Sequence, residues 1–353
     1  MLDGAEAKTD EPLLRVTDVV QTYTLFSPGI GRRTIQAVSG VSFDVHTEET
    51  LALVGESGCG KSTLARCVLQ SPRPQAGAIE FRGTNLVPLK ERELSKALRG
   101  IQAVFQDPYS SIDPHWHVLD IVAEPLRIHK VGTPKERLDR AAELLEAVGL
   151  SPSLYGRRRP RELSGGQGQR VAIARALALN PLLVVCDEPV SSLDVSVQAQ
   201  ILNLFEDLKQ NFGLSYLFIT HDLAVAKHVS DRVAVMYLGK VVEIGSVLDL
   251  FDRPLHPYSA ALLSAIPERS SEGRGKRIAL RGDLPSAADP PSGCRFRTRC
   301  AFAQDVCTVE EPPLRDFGNG HLAACHFPFT DGSGQEAWIA AGAEELAEAS
   351  AVN

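Results

Sequence analysis

The chain has 353 residues, of which 44% are hydrophobic, and its formal net charge is -7. This length suggests about two domains with sizeable cores, and the acidic balance argues against nucleic acid as the main partner. The sequence contains no basic start followed by an apolar segment, and no apolar stretch approaches the ~18 residues that span a bilayer. We therefore expect a soluble, intracellular protein.

A glycine-rich motif begins at residue 55, where the sequence reads Gly-Glu-Ser-Gly-Cys-Gly-Lys-Ser-Thr. This is a P-loop, whose glycines let successive backbone N–H groups turn toward phosphate oxygens. Lys61 is expected to reach the β- and γ-phosphates, and Ser62 to bind magnesium. An apolar strand-like segment precedes the motif and a helix-like segment follows it, as the motif requires. The predicted nucleotide-binding residues are Gly55, Glu56, Ser57, Gly58, Cys59, Gly60, Lys61, Ser62 and Thr63.

A second motif for nucleotide chemistry lies at residues 182–188, which read Leu-Leu-Val-Val-Cys-Asp-Glu. The apolar run is typical of a buried parallel strand, and here it ends in two carboxylates. Asp187 is expected to hold magnesium, and Glu188 to orient and polarise the attacking water. Cys186 beside them is expected only to fill the core.

The string Leu-Ser-Gly-Gly-Gln at residues 163–167 precedes a run whose composition predicts a helix over 170–179. Free N–H groups and the positive end of the helix dipole favour an anion at such a position. The string therefore predicts a second phosphate-binding element.

With these motifs in this order, the chain resembles the nucleotide-binding subunit of an ABC transporter. The resemblance implies an α/β P-loop NTPase core with a helical subdomain inserted at about residues 100–180. It also implies that Gln106 contacts magnesium and senses the membrane partner, and that Asp194 belongs to the D-loop. His221 would contact the γ-phosphate as the switch histidine, and Tyr23 would stack on adenine.

In that family the signature string of one subunit contacts the γ-phosphate bound to the other. The resemblance therefore implies a dimer that sandwiches two ATP molecules with Mg²⁺, through Ser164, Gly165, Gly166 and Gln167. Gly168 departs from the family pattern, which usually has Arg, Gln or Lys there. A glycine near a helix start costs at most about 1 kcal/mol, so we expect weakened rather than lost function.

Three further segments narrow the resemblance to importers of oligopeptides and dipeptides: residues 104–114 with 120–126, residues 256–258, and residues 282–285 with 290–294. Relatives in that branch also carry nickel or glutathione, so both remain alternative cargoes. The implied partners are a second ATPase subunit, identical or different, and two membrane-spanning permease subunits. An extracytoplasmic substrate-binding protein would act indirectly. The chain would lie as a peripheral subunit on the cytoplasmic face of the cell membrane.

Two other classes of function fit the sequence less well. A soluble ABC ATPase that acts on nucleic acid or ribosomes would carry a long coiled coil, zinc modules or two P-loops. This chain has one P-loop and no sustained heptads. An idle regulatory member of a heterodimer would lack part of the ATP chemistry, whereas Lys61, Asp187, Glu188 and His221 are all present.

The seven cysteines divide into two groups. Three are isolated within the expected ATPase core and are interpreted as packing residues: Cys59, Cys67 and Cys186. Four lie close together near the C-terminal end: Cys294, Cys300, Cys307 and Cys325.

The four C-terminal cysteines are expected to bind metal. A reducing cytosol disfavours disulfides, and the first gaps, of five and six residues, are longer than the two to four residues that zinc sites favour. Four thiolates suit an iron–sulfur cluster, and relatives in the peptide-importer branch carry a 4Fe-4S cluster at such a segment. A zinc site and four ordinary thiols remain alternatives. His321 and His326 are expected at the surface and not as ligands.

These features predict four parts of the chain. An N-terminal tail covers residues 1–10 and an ABC nucleotide-binding domain covers 11–255. A C-terminal extension with the four cysteines covers 256–330. Residues 331–353 are rich in Gly and Ser and then in Ala and Glu, which predicts a flexible tail.

Overall fold

The computed structural model describes residues 11–27, 31–265, 280 and 282–330. The predicted tails at 1–10 and 331–353 lie outside these residues. The chain folds into two compact units. The first unit comprises residues 11–17, 42–50 and 65–220, and the second comprises 18–27, 31–41, 51–64, 221–265, 280 and 282–330.

The strands in chain order are β1 (Leu14–Ser27), β2 (Gly31–Val45), β3 (Thr50–Val54), β4 (Ala76–Phe81), β5 (Thr84–Asn85), β6 (Ile101–Phe105), β7 (Leu183–Asp187), β8 (Ser215–Ile219), β9 (Arg232–Tyr237), β10 (Lys240–Ser246), β11 (Arg315–Asp316) and β12 (Leu322–Ala323). The helices are α1 (Lys61–Val68), α2 (Glu91–Ala97), α3 (Val118–Ile128), α4 (Pro134–Ala147), α5 (Pro152–Tyr155), α6 (Gly165–Leu177), α7 (Val195–Phe212), α8 (Leu223–Val229), α9 (Val247–Asp252), α10 (Pro257–Leu263) and α11 (Val306–Val309).

Parallel strands form the centre of the first unit. Strand β7 pairs with β6 on one side and with β8 on the other, and both pairings are parallel. The side chains of residues 183–186 are buried on both faces of this sheet, which explains the continuous apolar run in the sequence. Strands β2, β1, β4 and β5 form a separate sheet in that order.

Helices α3, α4 and α6 of the first unit pack against one another. Helix α4 begins with a capping box, in which the Thr133 hydroxyl accepts from the Glu136 N–H at 3.3 Å and the Glu136 carboxylate accepts from the Thr133 N–H at 2.7 Å. Gly149 follows the helix with a φ of 75°, the left-handed conformation that commonly ends a helix. Both ends of α4 are therefore set by residues adjacent to the helix.

The second unit contains strands in the order β11, β12, β10, β9 and β3. Strand β3 is parallel to β9, whereas β9 and β10 form an antiparallel hairpin. Leu238 and Gly239 make its turn with φ values of 43° and 81°, as a two-residue hairpin loop requires.

Aromatic side chains from β9, α10 and the cysteine-rich segment form the core of the second unit. The rings of Tyr237 and Tyr258 lie 4.7 Å apart, and that of Phe296 lies 5.2 and 5.4 Å from them. All three are at most 1% exposed, and the burial of each contributes about 1.5–3 kcal/mol to stability. Among the described residues, no helix combines the length and apolar character needed to cross a bilayer.

Candidate functional site

The P-loop lies in the second unit, between β3 and α1. Gly55, Gly58 and Gly60 have φ values of 152°, 80° and 110°, which side chains with a Cβ rarely adopt. A Cβ on Gly55 would lie 2.1 Å from the Met236 carbonyl oxygen, and one on Gly60 would lie 2.0 Å from that of Ala37. Glycine is therefore required at these two positions by both conformation and space.

The Lys61 side chain is folded back onto the loop that precedes it. It is 5% exposed, and its Nζ donates hydrogen bonds to the carbonyl oxygens of Gly55 at 2.8 Å and Glu56 at 3.0 Å. Ser62 and Thr63 lie in the first turn of α1, and Ser57 is exposed within the loop. The amine is thus held at the loop, beside backbone that this motif uses to cradle phosphates.

Asp187 and Glu188 lie at the carboxyl end of β7 in the first unit, and both are half-buried. Glu188 has a φ of 50°, and its N–H donates to the Ile219 carbonyl oxygen at 3.0 Å. A non-glycine residue held in this region costs about 1–3 kcal/mol, and such strain is typical of functional positions.

Gln106 and the D-loop contact each other within the first unit. Gln106 follows β6, and its carbonyl oxygen accepts from the Ser192 hydroxyl at 3.3 Å. The Ser191 hydroxyl donates to the Glu188 carbonyl oxygen at 3.0 Å. Asp194 is exposed at the start of α7. These bonds join the segments that follow β6 and β7.

The signature string forms the N-cap and first turn of helix α6, which begins at Gly165, five residues before the helix predicted over 170–179. The Ser164 hydroxyl accepts from the Gln167 N–H at 3.4 Å, and the Gln167 side chain accepts from the Ser164 N–H at 3.1 Å. Gly165 is exposed and Gly166 is half-buried in the first helical turn. The helix N-terminus therefore lies open to an incoming anion.

Gly168 lies beside the side chain of Tyr109. The Tyr109 hydroxyl donates toward the carbonyl oxygens of Leu163 at 3.1 Å and Ser164 at 3.3 Å. A Cβ at position 168 would lie 2.8 Å from that hydroxyl oxygen. A larger side chain at position 168 would therefore require the exposed end of Tyr109 to shift.

Tyr23 and His221 lie in the second unit. Tyr23 is in β1 and is 36% exposed. His221 is exposed, two residues after the end of β8 and two residues before the start of α8. Both side chains are accessible for the contacts that the family resemblance implies.

The two groups of cysteines differ in their surroundings. Cys59, Cys67 and Cys186 are at most 1% exposed, which confirms that they are packing residues. The four C-terminal cysteines line one small cavity of the second unit together with His256, Phe296 and Phe302: Cys294, Cys300, Cys307 and Cys325.

The pKa values of Cys300 and Cys325 are raised to about 12, mainly because both thiols are buried. A backbone N–H that bonds to each sulfur lowers the pKa, and the neighbouring cysteines raise it. The Phe327 N–H donates to the Cys325 Sγ at 3.4 Å. Without a cation, these thiols stay protonated at neutral pH. Among the described residues, no group of three or more His, Cys, Asp or Glu side chains is arranged to hold a metal ion, so this arrangement gives the predicted cluster no support.

The expectation that His321 lies at the surface is wrong. It is 7% exposed, and its Nε2 lies 2.7 Å from Oε1 of Glu243, which is fully buried. That carboxylate also accepts from the N–H groups of residues 255 and 256 at 2.8 Å. A buried carboxylate needs such partners, and the sequence gives no sign of this pairing. His326 is half-buried.

Sequence reasoning also missed two residues that contact the P-loop. Arg299 forms a two-bond ion pair with the Glu56 carboxylate at 2.8 and 3.2 Å, and the Tyr258 hydroxyl accepts from the Glu56 N–H at 3.0 Å. Arg299 and Glu56 are 243 residues apart in the chain, and no motif links them.

Two known families match separate parts of the chain. Residues 38–191 match the ABC transporter family, and residues 242–307 match the oligopeptide/dipeptide transporter C-terminal region. The oligopeptide transport ATP-binding protein AppF of Bacillus subtilis is 48% identical over 325 residues, which is 91% of this chain and 98% of AppF. A putative peptide import ATP-binding protein of Brucella ovis is 49% identical over 317 residues, 90% of this chain and 98% of that protein.

Solved structures of similar fold are ATP-binding cassettes. The cassette MJ0796, a dimer bound to ADP and phosphate after hydrolysis, is 31% identical with a TM-score of 0.60, and the match covers 66% of this chain and 98% of that one. The cbiO1 subunit of the Clostridium perfringens transporter complex cbiONQ is 26% identical with a TM-score of 0.60, over 69% of this chain and 91% of that one.

The fold and these structures define the class as a P-loop NTPase of ABC type, and they confirm the predicted α/β fold. The chain belongs to the family of ABC transporter ATP-binding proteins, with the C-terminal region of oligopeptide/dipeptide transporters. It is an ABC-type ATPase that hydrolyses ATP to ADP and phosphate, and cassettes of this family work as dimers with membrane permeases.

Proposed function

We propose that this ATPase drives the uptake of oligopeptides or dipeptides. The observation that carries the proposal is the match of residues 242–307 to the C-terminal region of oligopeptide/dipeptide transporters. The names of the relatives, which are oligopeptide and peptide import proteins, support it. The chain would bind two permease subunits as a peripheral subunit on the cytoplasmic side of the membrane, and an extracytoplasmic binding protein would deliver the peptide.

We also propose roles for the motif residues. Lys61 and the P-loop backbone bind the phosphates, and Glu188 accepts a proton from the attacking water. His221 contacts the γ-phosphate, and Tyr23 stacks on adenine. Magnesium is held by Ser62, Gln106 and Asp187, and Asp194 with residues 164–167 completes the site of the partner subunit. The buried amine of Lys61, the strained backbone of Glu188 and the open N-terminus of α6 support these assignments.

The proposal is tested by labelled tripeptide uptake in cells that lack the chromosomal copy. The wild-type chain is expected to restore uptake, whereas Lys61→Ala is expected to leave it at the level of the deletion because the phosphates lose their main cation. Lys135→Ala, on the exposed face of α4, serves as the control and should restore uptake.

Labelled nickel and glutathione are measured in the same strains. If uptake of nickel or glutathione depended on Lys61 while peptide uptake were the same in the deletion, wild-type and Lys61→Ala strains, the peptide assignment would be contradicted. Membrane chains that co-purify with a tagged subunit from detergent are expected to be permeases. A second ATPase chain among them would identify a heterodimer.

The four C-terminal cysteines are proposed to bind a 4Fe-4S cluster. They line one cavity, and burial raises the pKa of three of them, Cys294, Cys300 and Cys325, so a bound cation is needed to favour their thiolates. A backbone N–H bonds to the Cys325 sulfur, and such bonds are common around cluster ligands. The segment has only short elements, α11, β11 and β12, and metal binding would stabilise it.

Protein purified without oxygen is expected to be brown and to hold roughly four irons and four sulfides per chain. Cys307→Ser should remove the colour and the iron, whereas Cys67→Ser, a change of a packing cysteine, should retain both. Iron, zinc and acid-labile sulfide are measured on each sample. Stoichiometric zinc without sulfide would favour a zinc site, and protein without metal would leave four ordinary thiols.

A further inference from the structure

The start of the P-loop is held by the cysteine-rich segment. Arg299 donates two hydrogen bonds to the Glu56 carboxylate, at 2.8 and 3.2 Å. The Arg299 side chain is 8% exposed and that of Glu56 is 26% exposed. An ion pair with this two-bond geometry and little solvent is among the stronger kinds. It fixes the second residue of the P-loop.

Arg299 itself contacts the aromatic core of the second unit. Its N–H donates to the Phe296 carbonyl oxygen at 2.9 Å, and its guanidinium carbon lies 5.9 Å from the centre of the Tyr237 ring. The ring of Tyr258 packs on the rings of Tyr237 and Phe296, and its hydroxyl accepts from the Glu56 N–H. The side chain and the backbone of Glu56 are thus bound to the same aromatic core.

The charge of Glu56 makes this contact relevant to nucleotide binding. The P-loop receives a polyanion, and a carboxylate within the loop repels it unless a cation is close. Arg299 supplies that cation from outside the motif. The Glu56 carbonyl oxygen also accepts from Lys61 Nζ at 3.0 Å, so Glu56, together with Gly55, holds the lysine amine.

A second arginine of the same segment supports the other side of the loop. Arg295 donates to the Leu238 carbonyl oxygen and, at 2.7 Å, to the Gln36 side chain. Gly239, the next residue of that turn, donates its N–H to the Cys59 carbonyl oxygen at 2.7 Å. The segment therefore contacts Glu56 directly and Cys59 through one turn.

We infer that Arg299 is a positioning residue for ATP binding, which neutralises Glu56 and fixes the first turn of the P-loop. The inference rests on the proposed assignment of residues 55–63 as the ATP site. Arg299 acts through Glu56 and not by contact with the nucleotide. Because Arg299 belongs to the cysteine-rich segment, the affinity for the nucleotide depends on the folding of that segment.

The dissociation constant for MgATP, measured by titration calorimetry on the full chain, tests this inference. Arg299→Gln should raise it by about tenfold or more, because a poorly solvated carboxylate loses its partner beside an anion site. Adding Glu56→Gln to Arg299→Gln should bring it back to within about threefold of wild type, since no charge then needs neutralising. Arg299→Lys, which keeps the charge but loses the two-bond geometry, should give a dissociation constant between those of wild type and Arg299→Gln.

Arg297→Gln is the matched control. Arg297 belongs to the same segment but donates to Ser292, and its loss should leave the dissociation constant unchanged. An unchanged constant for a folded Arg299→Gln variant would overturn the inference. So would a double variant as weak as the single one, or a lysine variant as weak as the glutamine variant, because either would indicate a structural role alone. A wild-type chain that binds no MgATP would overturn the ATP-site assignment itself.

Discussion

Glu188→Gln is expected to lower ATP hydrolysis by about 10²- to 10⁴-fold, the usual contribution of a general base, while ATP binding is retained. Glutamine keeps the size and the backbone contact of Glu188 with Ile219 but cannot accept the proton of the attacking water. Phosphate release by the assembled, detergent-solubilised transporter measures the rate, and MgATP titration measures the binding.

Glu206→Gln is the matched control, because Glu206 is an exposed residue of α7 in the same unit. It should hydrolyse ATP at the wild-type rate. A Glu188→Gln transporter that hydrolyses ATP nearly as fast as wild type would show that another group activates the water.

Gly165→Asp is expected to reduce hydrolysis by about 10²-fold or more without weakening ATP binding to the same chain. Oriented donors that stabilise a developing charge contribute about 10²- to 10³-fold, and a carboxylate at this helix N-terminus would repel the γ-phosphate of the partner subunit. An acidic residue there also favours the helix itself, and the nearest atom to a Cβ at 165 is Leu193 Cδ2 at 3.4 Å. The fold should therefore be retained.

Hydrolysis is measured on the assembled transporter, and MgATP affinity on the isolated subunit. Ser95→Asp adds the same charge at an exposed position of α2 in the same unit, and it should leave both quantities unchanged. A large loss of affinity in the isolated Gly165→Asp subunit would contradict a role across the dimer, and undiminished hydrolysis would contradict any role.

Local patterns in the sequence were sufficient for much of the fold. The P-loop with its strand and helix, the buried strand before Asp187 and the helix after Ser164 each have a periodicity and an end signal within a few residues. The hairpin of β9 and β10 has its turn residues at 238 and 239. Each of these elements is specified by neighbours in the chain.

Contacts between distant residues could not be read from the sequence. The fit of Gly168 against Tyr109, the burial of His321 on Glu243 and the pairing of Arg299 with Glu56 all join segments that are far apart. Side-chain pairs of this kind leave no period and no motif in one sequence. The positive φ of Glu188 likewise depends on the strands around it, and the assigned roles of the site residues stay predictions.

Equilibrium binding of MgATP to the purified chain tests the central claim most directly. If residues 55–63 form the ATP site, the full chain should bind one MgATP, and Lys61→Ala should lower the affinity by at least about tenfold, or 1.4 kcal/mol. A folded wild-type chain that binds no MgATP, or a Lys61→Ala chain that binds it equally well, would contradict the account.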